Sequence, residues 1–141
     1  MEGNVQRKIF NELDVIETLM DRFPGVCIQA LLMESIPMRA QLEIVSETDV
    51  LIGMHGAGMM HTIFLPRHAG VVELFPRDWR QTRKHAIMYE KMSVNWRGLK
   101  YGSWQNPDAK RAFNERVTIV DTNKVFGEVQ AVINKMCHSA G

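Results

Sequence analysis

Three apolar runs, VCIQALL at residues 26–32, DVLIGM at 49–54 and GVVELF at 70–75, limit the possible folds of this chain more than any other feature. They are rich in Val, Ile and Leu and are continuous rather than alternating. A strand with that pattern is buried on both faces, as in a parallel sheet. GLKYGSW at 98–104 is a weaker candidate, and VTIVD at 117–121 gives a last short strand. Between these runs lie stretches of helical period. ELDVIETLMDRF at 12–23 places Val15, Ile16, Leu19, Met20 and Phe23 on one face, with Asn11 as the expected cap and Pro24 and Gly25 as the stop.

MESIPMRAQLEIVSE is expected to open a second helix capped by Ser35, with Pro37 in its first turn and Met38, Leu42 and Val45 inward. MMHTIFL gives about two helical turns before Pro66. WRQTRKHAIMYEKM reads as a polar-faced helix anchored by Trp79, Ile87 and Met88. The last helix, DTNKVFGEVQAVINKM, takes Asp121 or Thr122 as cap and turns Val125, Phe126, Val129, Val132, Ile133 and Met136 inward. Residues 103–116, SWQNPDAKRAFNER, read as a surface loop with or without a short helix. Strands separated by helices predict an α/β domain over residues 1–141, with a doubly wound, mostly parallel, Rossmann-like sheet.

Composition narrows the partners. Seventeen Lys and Arg against sixteen Asp and Glu leave a formal charge of +1, so no global field would hold the chain on nucleic acid or an anionic membrane. Any anion must be bound locally. The longest apolar runs stop far short of the roughly 20 residues of a membrane span, and MEGNVQRKIFNE has no apolar core of a signal peptide. Cys27 and Cys137 show no metal-ligand spacing. They are either a buried strand cysteine and a helix-end cysteine, or a long-range disulfide.

The candidate site is HGAG at residues 55–58, directly after DVLIGM. In a doubly wound sheet ligands sit beyond the carboxyl ends of strands, where loops lead into helix N-termini. Orphan N–H groups and the helix dipole point out of such a turn, and glycine lets a phosphate approach the backbone. Gly56 and Gly58 are read either as a pyrophosphate cradle or as a device for close helix–strand packing. HGAG is not G-x-G-x-x-G, so a nicotinamide cofactor is not favoured. His55 and His61 lie six apart, which does not bring them to one helix face, so no metal site is expected. His55 is placed at the mouth of the site and His61 as a half-buried helix residue.

Glu73 is the odd member of VVELF, since a carboxylate in an apolar strand is costly unless paired or used. It is read either as an acceptor for ribose hydroxyls or as the partner of Arg77 or Arg80. Arg7 and Lys8 either supply charge to a phosphate or form a solvated pair. Trp79, Trp96 and Trp104 are candidates for stacking a base or sugar, or for the core, and the ten methionines for filling core gaps.

RKIFNELDVIETL, QLEIVSETDVLIGMHGAGMMHTIFLP and GVVELFP together resemble the C-terminal half of glycosyltransferase family 61. The likeness is strong over residues 7–76 and weaker beyond. It implies one Rossmann-like half of a GT-B fold, and an inverting, metal-independent transfer from a UDP-sugar to a glycan or glycoprotein hydroxyl. It also implies work in the secretory lumen, Golgi or endoplasmic reticulum, with the sugar of the GlcNAc or xylose class.

Carried over residue by residue, the family's donor-binding positions are Arg7, His55, Gly56, Ala57, Gly58 and Glu73. Some members have glutamine at the position of Gly58. A second arginine, usual four positions before Arg7, is here Gly3. On this reading the acceptor-side domain lies outside the chain, the isolated domain is inactive alone, and no catalytic base is assigned. The alternative is a stand-alone nucleotide-binding module without catalysis.

Overall fold

The described residues, 8–76, 87–107, 112–114 and 117–139 of a computed structural model, form two three-stranded sheets with helices around them. The first elements are strand β1 (Lys8–Ile9), helix α1 (Glu12–Arg22), a 3₁₀ turn (Met33–Ser35), α2 (Met38–Ser46), β2 (Val50–Met54) and a 3₁₀ helix (Ala57–Phe64). There follow β3 (Gly70–Phe75), α3 (Met88–Lys91) running into a π turn (Met92–Trp96), β4 (Lys100–Gln105), β5 (Ala112–Asn114), β6 (Val117–Thr118) and α4 (Thr122–Ser139).

The larger sheet has the order β2-β3-β4 and is parallel throughout, as the continuous apolar runs of β2 and β3 predict; of VTIVD only Val117–Thr118 forms a strand, and it lies in the smaller sheet. β3 is central, and all six of its residues are buried. Val72 and Leu74 pack with Val15 and Leu19 of α1 and with Val125, Val129 and Val132 of α4. Val71 faces the other way, toward Val45 of α2, Met59 and Leu65 of the 3₁₀ helix region, Tyr89, Met92 and Leu99. Both faces of the sheet are therefore covered, and each such Val or Leu contributes about 1.5–3 kcal/mol by leaving water. The α/β character is as expected.

Close backbone approach explains one glycine. A Cβ on Gly70 would collide with Val132 Cγ1 and stand 3.0 Å from Met136 Sδ, so β3 meets α4 only because residue 70 has no side chain. Gly70→Ala is expected to destabilise the fold by about 1–3 kcal/mol through overpacking. Urea unfolding would check it, and an unchanged midpoint would mean that α4 moves aside freely.

The smaller sheet, β1-β6-β5, pairs β1 with β6 in parallel and β6 with β5 antiparallel. It is closed by Asn11. Rather than capping α1, Asn11 turns its amide on Val120: Nδ2 donates to the Val120 carbonyl and Oδ1 accepts from the Val120 N–H, both at 2.8 Å. The side chain thereby mimics a strand neighbour. Asp121 is the cap of α4, its Oδ1 accepting from the Lys124 N–H at 3.2 Å.

Several other expectations are corrected. Residues 26–32 lie in neither sheet; the segment runs without regular structure, with Val26, Leu31 and Leu32 exposed. Ser35 ends the 3₁₀ turn and donates to the Leu32 carbonyl, so it caps nothing, and Met38 is exposed. Met20 is exposed too. In the fourth helical stretch Tyr89 and Met92 are the buried anchors, while Ile87 and Met88 face out. Residues 103–105 belong to β4 and 112–114 form β5, where a loop was expected. Cys27 and Cys137 are exposed free thiols, so neither the buried strand cysteine nor the disulfide is present.

Candidate functional site

β2 ends at Met54, and the chain turns immediately into the 3₁₀ helix at Ala57. Sheet pairing carries on one residue beyond the strand, because the His55 N–H donates to the Leu74 carbonyl at 2.8 Å. On the opposite edge of β3 the Asn106 N–H donates to the Phe75 carbonyl at 3.0 Å. Residues 55 and 106 thus mark the carboxyl edge of the sheet, on either side of β3. Gly56 is extended there, with φ 159° and ψ −175°.

His55 is not at the mouth of a site. It is 2 % exposed, with its ring stacked on Phe75 at 5.2 Å and set edge-on to Tyr89 at 5.3 Å. Its Nδ1 lies 2.6 Å from Glu73 Oε2. The other carboxylate oxygen accepts from the Tyr101 hydroxyl, also at 2.6 Å. Glu73 is fully buried, and both of its oxygens are engaged within the protein rather than presented to a ligand. The proton of this contact is assigned to His55 Nδ1, with Glu73 accepting at both oxygens. A buried carboxylate is tolerable here because each oxygen has a donor.

Register explains how these three residues meet. Glu73 on β3 sits opposite Gly53 on β2 and Ser103 on β4. His55 lies two residues beyond the first and Tyr101 two before the second, so the hydrogen bonds run diagonally across three strands. The 3₁₀ helix is held further along as well. His61 Nε2 lies 2.9 Å from Gln41 Oε1, and Gln41 Nε2 donates to the Met33 and Ile36 carbonyls at 2.7 Å. At its far end Arg97 Nη2 donates to the Leu65 carbonyl at 2.6 Å, satisfying a group that the helix terminus leaves open. His61 is half-buried, as expected.

Gly56, Ala57 and Gly58 are contiguous in this turn, next to His55 and, through its ring, Glu73. Arg7 lies outside the described residues, as do Arg77, Arg80 and Trp79. Trp104 is a core residue and Trp96 is 70 % exposed. Tyr101, Tyr89 and Phe75 escaped the sequence reading. No spacing rule relates them to His55, since only the pairing of β3 with its neighbours places them around it.

Comparison with known proteins adds a family to this geometry. The family model described as Glycosyltransferase 61 matches residues 2–72. The chain is 33 % identical over 104 residues to the EGF domain-specific O-linked N-acetylglucosamine transferase of Drosophila melanogaster, covering 72 % of this chain and 18 % of that protein. It is 40 % identical over 67 residues to the protein of the same name in Rattus norvegicus, covering 48 % and 11 %. To the human protein O-linked-mannose beta-1,4-N-acetylglucosaminyltransferase 2 it is 33 % identical over 101 residues, 71 % of this chain and 17 % of the relative. The match therefore spans less than a fifth of the length of these relatives.

Proposed function

The chain belongs to glycosyltransferase family 61, and from that premise we propose that it binds the donor, a UDP-sugar, with the diphosphate against residues 56–58. One observation carries the reading: this turn joins the carboxyl end of a parallel strand to the start of a helix of eight residues. Ligands of open parallel sheets gather at that edge, and the first N–H groups of a helix lack intrahelical partners. Together with the helix dipole they attract an anion, and an unsubstituted Cα lets it come close.

In the transfer that this reading implies, an acceptor hydroxyl attacks the anomeric carbon from the face opposite the nucleotide. The bond from that carbon to the diphosphate oxygen breaks, and its electron pair leaves with UDP. The hydroxyl proton passes to a base. Backbone N–H groups at 56–58 and the guanidinium of Arg7 stabilise the charge that develops on the leaving diphosphate, without a metal. A cradle of backbone groups also accommodates the replacement of Gly58 by glutamine in some members. Glu73 takes no ribose hydroxyl in this scheme; it holds His55 beneath the turn.

The names of the relatives favour N-acetylglucosamine as the sugar and a protein-linked hydroxyl or glycan as acceptor. The resemblance further suggests the C-terminal half of a GT-B architecture, the secretory lumen as the workplace, and an acceptor-side domain as the partner.

Titrating the ¹⁵N-labelled chain with UDP tests the donor reading. The amides of residues 55–58 are expected to shift together and saturate. Shifts confined to other surfaces, or none at millimolar UDP, would overturn it.

A further inference from the structure

We infer that Tyr101 is a positioning residue for the donor turn. Its hydroxyl, acting through Glu73, sets the orientation of the His55 ring and with it the backbone of residues 56–58. The inference rests on the donor reading above, but its geometry stands independently.

Phe75 and Tyr89 restrict the plane of the His55 ring. They do not decide which edge of the ring faces β3. The 2.6 Å contact between Nδ1 and Glu73 Oε2 ties the Nδ1 edge of the ring to β3. A carboxylate turns about its terminal bond, so Oε2 stays in place only if something holds Oε1. The Tyr101 hydroxyl, 2.6 Å away on β4, is the donor that does so. Without it, Oε1 becomes a buried acceptor lacking that bond, and a carboxylate in that state rotates toward whatever donor remains. The His55 ring must follow, and its backbone continues directly into Gly56. A polar chain of this kind acts as a unit, because each member fixes the next.

Tyr101→Phe removes one oxygen and leaves the ring. Three effects are expected: a shift of the His55 ring ¹⁵N resonances, shifts of the amides of residues 56–58, and a UDP affinity lower by about three- to tenfold. Amides of α4, on the other face of the sheet, should stay put. A residue that served stability alone would lower the melting temperature and leave the His55 ring signals where they were.

Unmoved ring and turn resonances would overturn the inference, and so would moved resonances with unchanged UDP affinity in a chain that binds UDP. A wild-type chain that bound no UDP would overturn the donor reading alone, because the ring and turn resonances still report whether Tyr101 positions them. Should Tyr101→Phe not fold, 3-fluorotyrosine incorporated into a Tyr89→Phe background leaves Tyr101 as the one labelled tyrosine of the two in the chain. A more acidic hydroxyl donates more strongly, so the His55 ring signals should again move; if they do not, the inference fails.

Discussion

Replacing Glu73 with alanine is expected to lower the stability of the chain by about 3–5 kcal/mol, the cost of a buried cavity together with two buried groups deprived of this acceptor. Three losses combine. His55 Nδ1 and the Tyr101 hydroxyl each lose their partner at 2.6 Å, and the centre of β3 acquires a cavity. A domain of ordinary stability has only about 5–15 kcal/mol to lose, so the melting temperature should fall by roughly 10–20 °C. Glu73→Gln separates shape from charge. It fills the same volume but replaces one acceptor oxygen with a donor, which conflicts with a proton on His55 Nδ1 or on the tyrosine. Its cost should be smaller, about 1–3 kcal/mol. Calorimetric melting of the two variants checks the ordering; equal and negligible losses would mean that the His55–Glu73–Tyr101 chain contributes nothing to the fold.

The second large effect is on binding. Gly56→Val is expected to weaken UDP by roughly a hundredfold or more, since a branched side chain at that point occupies the space through which a phosphate reaches the backbone. Gly56 is partly exposed and its backbone is extended. The cost to the fold should therefore be small beside the cost to the ligand. Isothermal titration with UDP, alongside the amide spectrum of the variant, distinguishes the two. A variant with native spectrum and native affinity would refute the cradle.

Much of this could be read in the linear chain, and the boundary has a physical cause. β2 and β3 announce themselves as short, β-branched apolar runs bounded by turn residues, and the last helix by apolar residues at helical spacing, while β4 is signalled only weakly. The run at 26–32 carries the same signal and yet joins neither sheet. Apolar length shows that a segment can be a strand; whether a neighbouring strand edge is there to receive it is a property of the assembled fold. The same limit applies to the site. The turn at 55–58 was visible from its glycines and its place after a strand, and Glu73 from its oddness in an apolar run. Sequence proximity offers Arg77 and Arg80 as its partners. The ones it has are 18 and 28 positions away, delivered by parallel register. Asn11 was expected as a cap on local grounds, and a contact 109 positions off outbid that local use.

That contact bears on how the chain is made. α1 packs against α4, and Asn11 is held by Val120, so the native seat of α1 is complete only after residue 120 and the helix that follows it have been synthesised. At about 5–20 residues per second, the 109 positions between them take roughly 5–20 seconds to emerge from a ribosome. During that interval Val15 and Leu19 of α1 can meet Val72 and Leu74 of β3, but their α4 partners Val125, Val129 and Val132 have yet to be made. A helper that shields the face of α1 awaiting α4 would raise the yield of folded protein, and slowing translation before residue 117 would lower it.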